Sequence, residues 1–145
     1  MHSIVLSLPV IALTAYAAWT DLKRKEIDNW VSAAVLTHGI IVNALLAPTR
    51  LTESIVYMLT TFAVLVAIYI ISSKKLGGGD VKLLTALAFF FREKIIVLLI
   101  IAGTIATVYG IFKGLKNKTY FKTETIFAPS IFIAVFLIFL LASNK

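Results

Sequence analysis

The 145-residue chain has no cysteine, two histidines, three prolines and only seven acidic residues. Without cysteine there are no disulfides, no thiol catalysis and no cysteine zinc site. The two histidines are His2, at the N-terminus, and His38. They leave little material for a serine triad, which needs a histidine beside its nucleophile, and the ligand inventory for a metal is thin. Charge is scarce too. Charged residues make up 14% and hydrophobic residues 60%, against about 25% and about 45–50% in an ordinary soluble domain. A water-soluble fold of this length cannot hide that much apolar surface.

What is there comes in blocks. Apolar segments run over Ser3–Thr20, Trp30–Ala47, Ser54–Ser73, Val81–Phe91, Ile95–Phe112 and Ile126–Ser143. Four of them, and the second marginally, approach the ~20 residues that span ~30 Å of hydrocarbon. This pattern predicts an all-α polytopic membrane bundle of about six transmembrane helices. The fourth segment is the short one, rising only about 16 Å as a helix. It reads either as a short span in thinned bilayer, with Lys82 snorkelling at its start, or as a re-entrant element.

Positive charge orients the bundle. With six crossings, one side carries Lys23, Arg24, Lys25, Lys74, Lys75, Lys82, Lys113, Lys116, Lys118 and Lys122, ten in all. The other carries Arg50, Arg92, Lys94 and Lys145, four in all. A non-crossing fourth segment narrows the split to nine against five. Six crossings with both termini extracytoplasmic is therefore favoured, and it places Asp21 and Asp80 at the cytoplasmic face of the cell membrane. The net charge of +7 reads as topology and contact with anionic lipid, with no nucleic acid as partner. Ala15-Tyr16-Ala17 has the look of a signal cleavage site, but Met1-His2-Ser3 lacks a positive n-region, so the first segment is expected to be retained as a helix.

One integral-membrane domain over 1–145 is expected, without a separate soluble module. The connections are short, and Lys113–Thr125 is the longest, the most basic and the expected flexible loop. Ala106, Gly110 and Gly114 recur at every fourth position of the fifth segment, a spacing that suits close helix packing. Internal packing is the favoured reading of that stripe, and a homo-oligomer contact the alternative.

The chemistry-bearing candidates are acidic. Asp80 closes the run Gly77-Gly78-Gly79-Asp80, just before an apolar helix. In one reading the glycines form a loop and Asp80 N-caps the helix. In the other, the side-chain-free run lets a substrate backbone approach the carboxylate and keeps the chain from becoming rigid helix just before it. Asp21 is either a surface residue beside Lys23-Arg24-Lys25 or an inward-facing group on the last turn of the first helix. Glu26 and Asp28 compete with it in the same loop, and Asp28 and Asn29 are natural N-caps for the second helix. Two carboxylates that meet share a proton, and then one activates water while the other polarises a carbonyl. His38, mid-way along the second helix, reads as a neutral interhelical histidine before it reads as functional.

These residues resemble a known family. Gly77-x-Gly79-Asp80 followed by Val81-Lys82-Leu83-Leu84 is similar to the GxGD motif of type IV prepilin peptidases and archaeal preflagellin peptidases. Asp21-Leu22-Lys23-Arg24-Lys25-Glu26-Ile27-Asp28-Asn29 resembles their first motif, an Asp followed by a basic loop and Ile-Pro-Asn, with Asp28 standing where the family usually has Pro. Ile126-Phe127-Ala128-Pro129 resembles the proline-containing motif that opens their last helix. The resemblance implies a small aspartic endopeptidase, without the tetra-cysteine or methyltransferase module of larger members. Its catalytic pair maps onto Asp21 and Asp80, with Gly77 and Gly79 as motif-supporting residues and no metal or cofactor. The implied substrate is a pilin-like or archaellin-like precursor with a basic leader and a hydrophobic N-terminal helix, cut at the cytoplasmic membrane edge. Two alternatives stand beside it. A presenilin or signal-peptide-peptidase-like protease is disfavoured because the third segment has Tyr57 and Tyr69 but no Asp. A non-enzymatic transporter or scaffold subunit would use the same aspartates to bind a cation or cap helices.

Overall fold

A computed structural model describes residues 2–71, 76–117 and 127–143, with side chains over 7–71, 76–112 and 127–141. Six α-helices follow one another: α1 (His2–Arg24), α2 (Asn29–Leu46), α3 (Leu51–Ile71), α4 (Gly78–Phe91), α5 (Lys94–Asn117) and α6 (Ala128–Ser143). A single 3₁₀ turn, Pro48–Arg50, joins α2 to α3. No strand occurs among the described residues. Among the described residues, three helical stretches are long and apolar enough to cross a membrane: Asn29–Leu46, Pro48–Ile71 and Lys94–Phe112. Ala128–Leu141 is apolar but shorter.

The helix ends follow local chemistry. α1 stops where Lys25 takes a left-handed conformation (φ 56°) and donates its N–H to the Asp21 carbonyl at 2.9 Å. That bond satisfies one of the carbonyls a helix terminus leaves open. Arg92 does the same for α4, with φ 50° and its N–H on the Ala88 carbonyl at 2.9 Å. A two-residue link then turns the chain into α5. Pro129 sits in the first turn of α6, where its missing N–H costs no hydrogen bond.

The shortest described α-helix is the centre of the bundle. Nine of the 14 residues of α4 are buried, among them Leu83, Leu84 and Leu87 with no exposure. α4 packs against α2, α3 and α5, while α1 packs against α6 and α2, and α5 against α6. By contrast α3 buries only Ser54, Thr61 and Leu65 and turns Val56, Leu59 and Ile70 outward. An apolar exterior around a tightly packed interior is what a bilayer solvent allows.

This arrangement changes the reading of the fourth segment. At ~1.5 Å per residue α4 is about 21 Å long, still short of a span, but other helices rather than thinned lipid flank it. It starts beside the start of α2, where Lys82 Nζ donates to Asn29 Oδ1 at 2.8 Å. It ends beside the end of α2, where Asn43 Nδ2 donates to the Phe89 carbonyl at 3.3 Å. The two helices therefore run parallel. Lys82 reaches Asn29 instead of acting only as a snorkelling charge. Gly39 lets the helices close between those points, since a Cβ there would lie 3.3 Å from the Phe89 ring.

Three further expectations meet the structure here. Ala106 of the small-residue stripe is 4% exposed and packed inside, in keeping with internal packing, while Gly114 lies beyond the residues whose packing is described. The basic loop at 113–125 is helical through Asn117, and its remainder lies outside the described residues, as do Lys74 and Lys75. His38 stacks on Phe90 at 5.9 Å between ring centroids, across the α2–α4 interface.

Candidate active site

The candidate site forms where the end of α1 meets the starts of α4 and α6. α1 continues through Arg24, so Asp21 stands on its last turn and faces inward, 8% exposed. Its Oδ2 accepts the backbone N–H of Ala128 at 3.1 Å, at the first position of α6. A helix N-terminus holds unsatisfied N–H groups and the positive end of the macrodipole, so it favours a carboxylate in its ionised form.

Asp80 is 7% exposed and stands on the first turn of α4. It does not N-cap that helix. The N-cap is Gly77, in extended conformation (φ −65°, ψ 135°). Asp80 is the third helical residue, and its carboxylate turns back to accept the Gly77 N–H. This is the return half of a capping box. Gly78 and Gly79 are helical, so the glycines do not hold the chain out of helix before Asp80. Their use is steric. A Cβ on Gly77 would lie 2.7 Å from Asp80 Oδ2, and a Cβ on Gly79 would lie 3.0 Å from the Cβ of Ile27, whereas one on Gly78 would meet nothing within 4 Å. Gly77 leaves room for the carboxylate, and Gly79 leaves room for the loop that follows Asp21.

The two carboxylates differ in electrostatic setting. Both stand just outside the apolar segments Ser3–Thr20 and Val81–Phe91. Asp80 is pushed up from 3.8 to about 7: burial is the largest cause, the charge of Asp21 adds to it, and the Gly77 N–H opposes both. Burial also raises Asp21, against the pull of the Ala128 N–H. The Oδ1 of Asp80 is buried without a hydrogen-bond partner among the described residues. Near neutral pH the pair therefore suits one proton, held on Asp80, with Asp21 as the ionised member.

The competing acids lie elsewhere. Asp28 precedes α2 as its N-cap but makes no side-chain cap bond. Instead it accepts the Tyr16 hydroxyl at 3.3 Å, next to a ring cluster in which Tyr16 lies 5.2 Å from Trp30 and 6.0 Å from Trp19. Glu26 is exposed. No set of three or more His, Asp or Glu side chains gathers as metal ligands among the described residues. The sequence singles out Asp21, Asp80, Gly77 and Gly79 as candidates but gives the Ala128 N–H no part. Pro129 was the available signal, because a proline in a first turn marks a helix N-terminus.

Comparison with known proteins gives one result. A family model described as the type IV leader peptidase family matches residues 8–111, a stretch that includes Asp21, Gly77, Gly79 and Asp80. No curated protein and no solved structure matches the chain.

Proposed function

The chain belongs to the type IV leader peptidase family, and from that premise we propose that it is a membrane-embedded aspartic endopeptidase working through Asp21 and Asp80. The observation that carries the reading is the burial of two carboxylates in unequal settings. One is hydrogen-bonded to a helix N-terminus and the other has its pKa pushed up to about 7. Asp21, ionised, takes a proton from water as the water oxygen bonds to the scissile carbonyl carbon. Asp80, protonated, gives its proton to the carbonyl oxygen. When the tetrahedral intermediate collapses, the C–N bond breaks, the leaving nitrogen takes the proton from Asp21, and the hydroxyl proton returns to Asp80. Each aspartate ends as it began.

The substrate in this reading is a pilin-like or archaellin-like precursor with a short basic leader and a hydrophobic helix. The apolar exterior of the bundle suits lateral entry of that helix, and the charge asymmetry of the sequence supports a site, and so a cut, at the cytoplasmic membrane edge. Anionic headgroups offset the crowding of leader cations against the basic loops.

The test is cleavage of a tagged precursor in membranes, read by gel shift, at matched expression. Asp21→Asn and Asp80→Asn are each expected to abolish cleavage, and Asp28→Asn to retain it. Equal cleavage by wild type and both site variants overturns the two-aspartate mechanism. EDTA is expected to leave the rate unchanged, and loss with EDTA that zinc restores overturns it as well.

A further inference from the structure

The two candidate carboxylates sit on helices that do not pack along one another. α1, which carries Asp21, is packed on α6 and α2, and α4, which carries Asp80, on α2, α3 and α5. The distance between the carboxylates is thus set indirectly. One local connection shortens the path, namely the segment between α1 and α2. Ile27 is seated against Gly79, so closely that a Cβ on Gly79 would lie 3.0 Å from the Ile27 Cβ and 3.5 Å from its backbone N and O. Two residues further on, Asn29 Oδ1 accepts Lys82 Nζ at 2.8 Å. Gly79 and Lys82 are three apart on α4 and share a face, and Asp80 lies between them in sequence. At its other end the same segment is anchored to Asp21 itself, through the Lys25 N–H on the Asp21 carbonyl.

We propose that the Ile27–Asn29 segment braces the site: seated on Gly79 and tied by Lys82, it fixes the separation of Asp21 and Asp80, which makes Asn29 and Lys82 positioning residues for cleavage. Both side chains are exposed, and an exposed polar contact adds little to global stability. Its effect is on geometry, where misplacement by about 1 Å costs on the order of 100-fold in rate. Lys82 therefore acts through the separation of the two carboxylates rather than by touching substrate. The kinetic half of this proposal rests on the two-aspartate reading above, and the structural half does not.

The absence of native cysteine allows a direct test. In the Asp21→Cys/Asp80→Cys chain the only two thiols report the separation, read as the rate of joining by a short bifunctional thiol reagent. Adding Lys82→Met or Asn29→Ala is expected to slow joining several-fold, and Lys82→Arg to preserve it. Equal rates in all backgrounds overturn the brace. With both aspartates in place, Lys82→Met and Asn29→Ala are each expected to lower kcat by about 10- to 100-fold with KM little changed. The double variant should be no worse than the worse single, and Lys82→Arg should recover most of the rate. A rise in KM with kcat intact, or losses that multiply in the double variant, overturns the proposal. A wild-type chain that cleaves no precursor counts against the proposed function, while the joining rates still decide the brace.

Discussion

Alanine placed in turn at Gly77, Gly78 and Gly79 should separate activity from stability at adjacent positions. At Gly77 the new methyl would stand 2.7 Å from Asp80 Oδ2, where ordinary contact begins at 3.4 Å, so the carboxylate must move by about 0.7 Å. The neighbour is the end of a short side chain, and the backbone of Gly77 (φ −65°, ψ 135°) is one that alanine adopts without strain. Alanine is a poorer N-cap than glycine, but it also restricts the unfolded chain, and the two effects nearly offset within about 1 kcal/mol. The fold should therefore survive. The rate should not: displacing a reacting carboxylate by most of an ångström predicts a loss of about 10- to 100-fold. Gly78→Ala meets nothing within 4 Å and should retain nearly full activity. Gly79→Ala presses on Ile27 by a few tenths of an ångström and should fall between the two. The assay is gel-shift cleavage of a tagged precursor, paired with thermal unfolding in detergent. A fully active Gly77→Ala, or a Gly78→Ala as impaired as Gly77→Ala, would refute the steric account of the motif.

Two pH predictions follow from Asp80. Cleavage should fall as pH rises through about 7, because the acid that protonates the carbonyl oxygen is then lost; a rate that climbs steadily through that range would contradict the assignment of Asp80 as the acid. Stability should move in the same direction. The unfolded carboxylate ionises near 3.8 while the folded one holds its proton to about 7, so stability is highest below 3.8, falls across that interval and levels off above it. Asp80→Asn, which removes the ionisable group, should unfold at a higher temperature than wild type near about pH 8, with the gap closing toward about pH 4. A gap independent of pH would show that Asp80 ionises alike in the folded and unfolded chains.

How much of this was legible in the sequence follows from what each signal encodes. The run of apolar segments pointed to an all-helical membrane protein, because a helix bonds its own backbone polar groups within one segment in hydrocarbon. The pattern Gly77-x-Gly79-Asp80 with Asp21 pointed to a carboxylate pair, since acidic groups are so few here that each one stands out. Three things were decided by tertiary packing alone. The fourth segment looked weakest by length and is the buried centre, because apolar composition does not distinguish a surface that meets lipid from one that meets protein. One reading made Asp80 the N-cap, yet it is the third helical residue, because the residue opening a glycine run is not marked by side-chain preference. The Ala128 N–H that holds Asp21 lies 107 residues away, and no local pattern reports a contact that forms only when two helix ends are brought together. Sequence settles what each segment prefers as its solvent. Which segments become one another's solvent is a property of the assembled bundle.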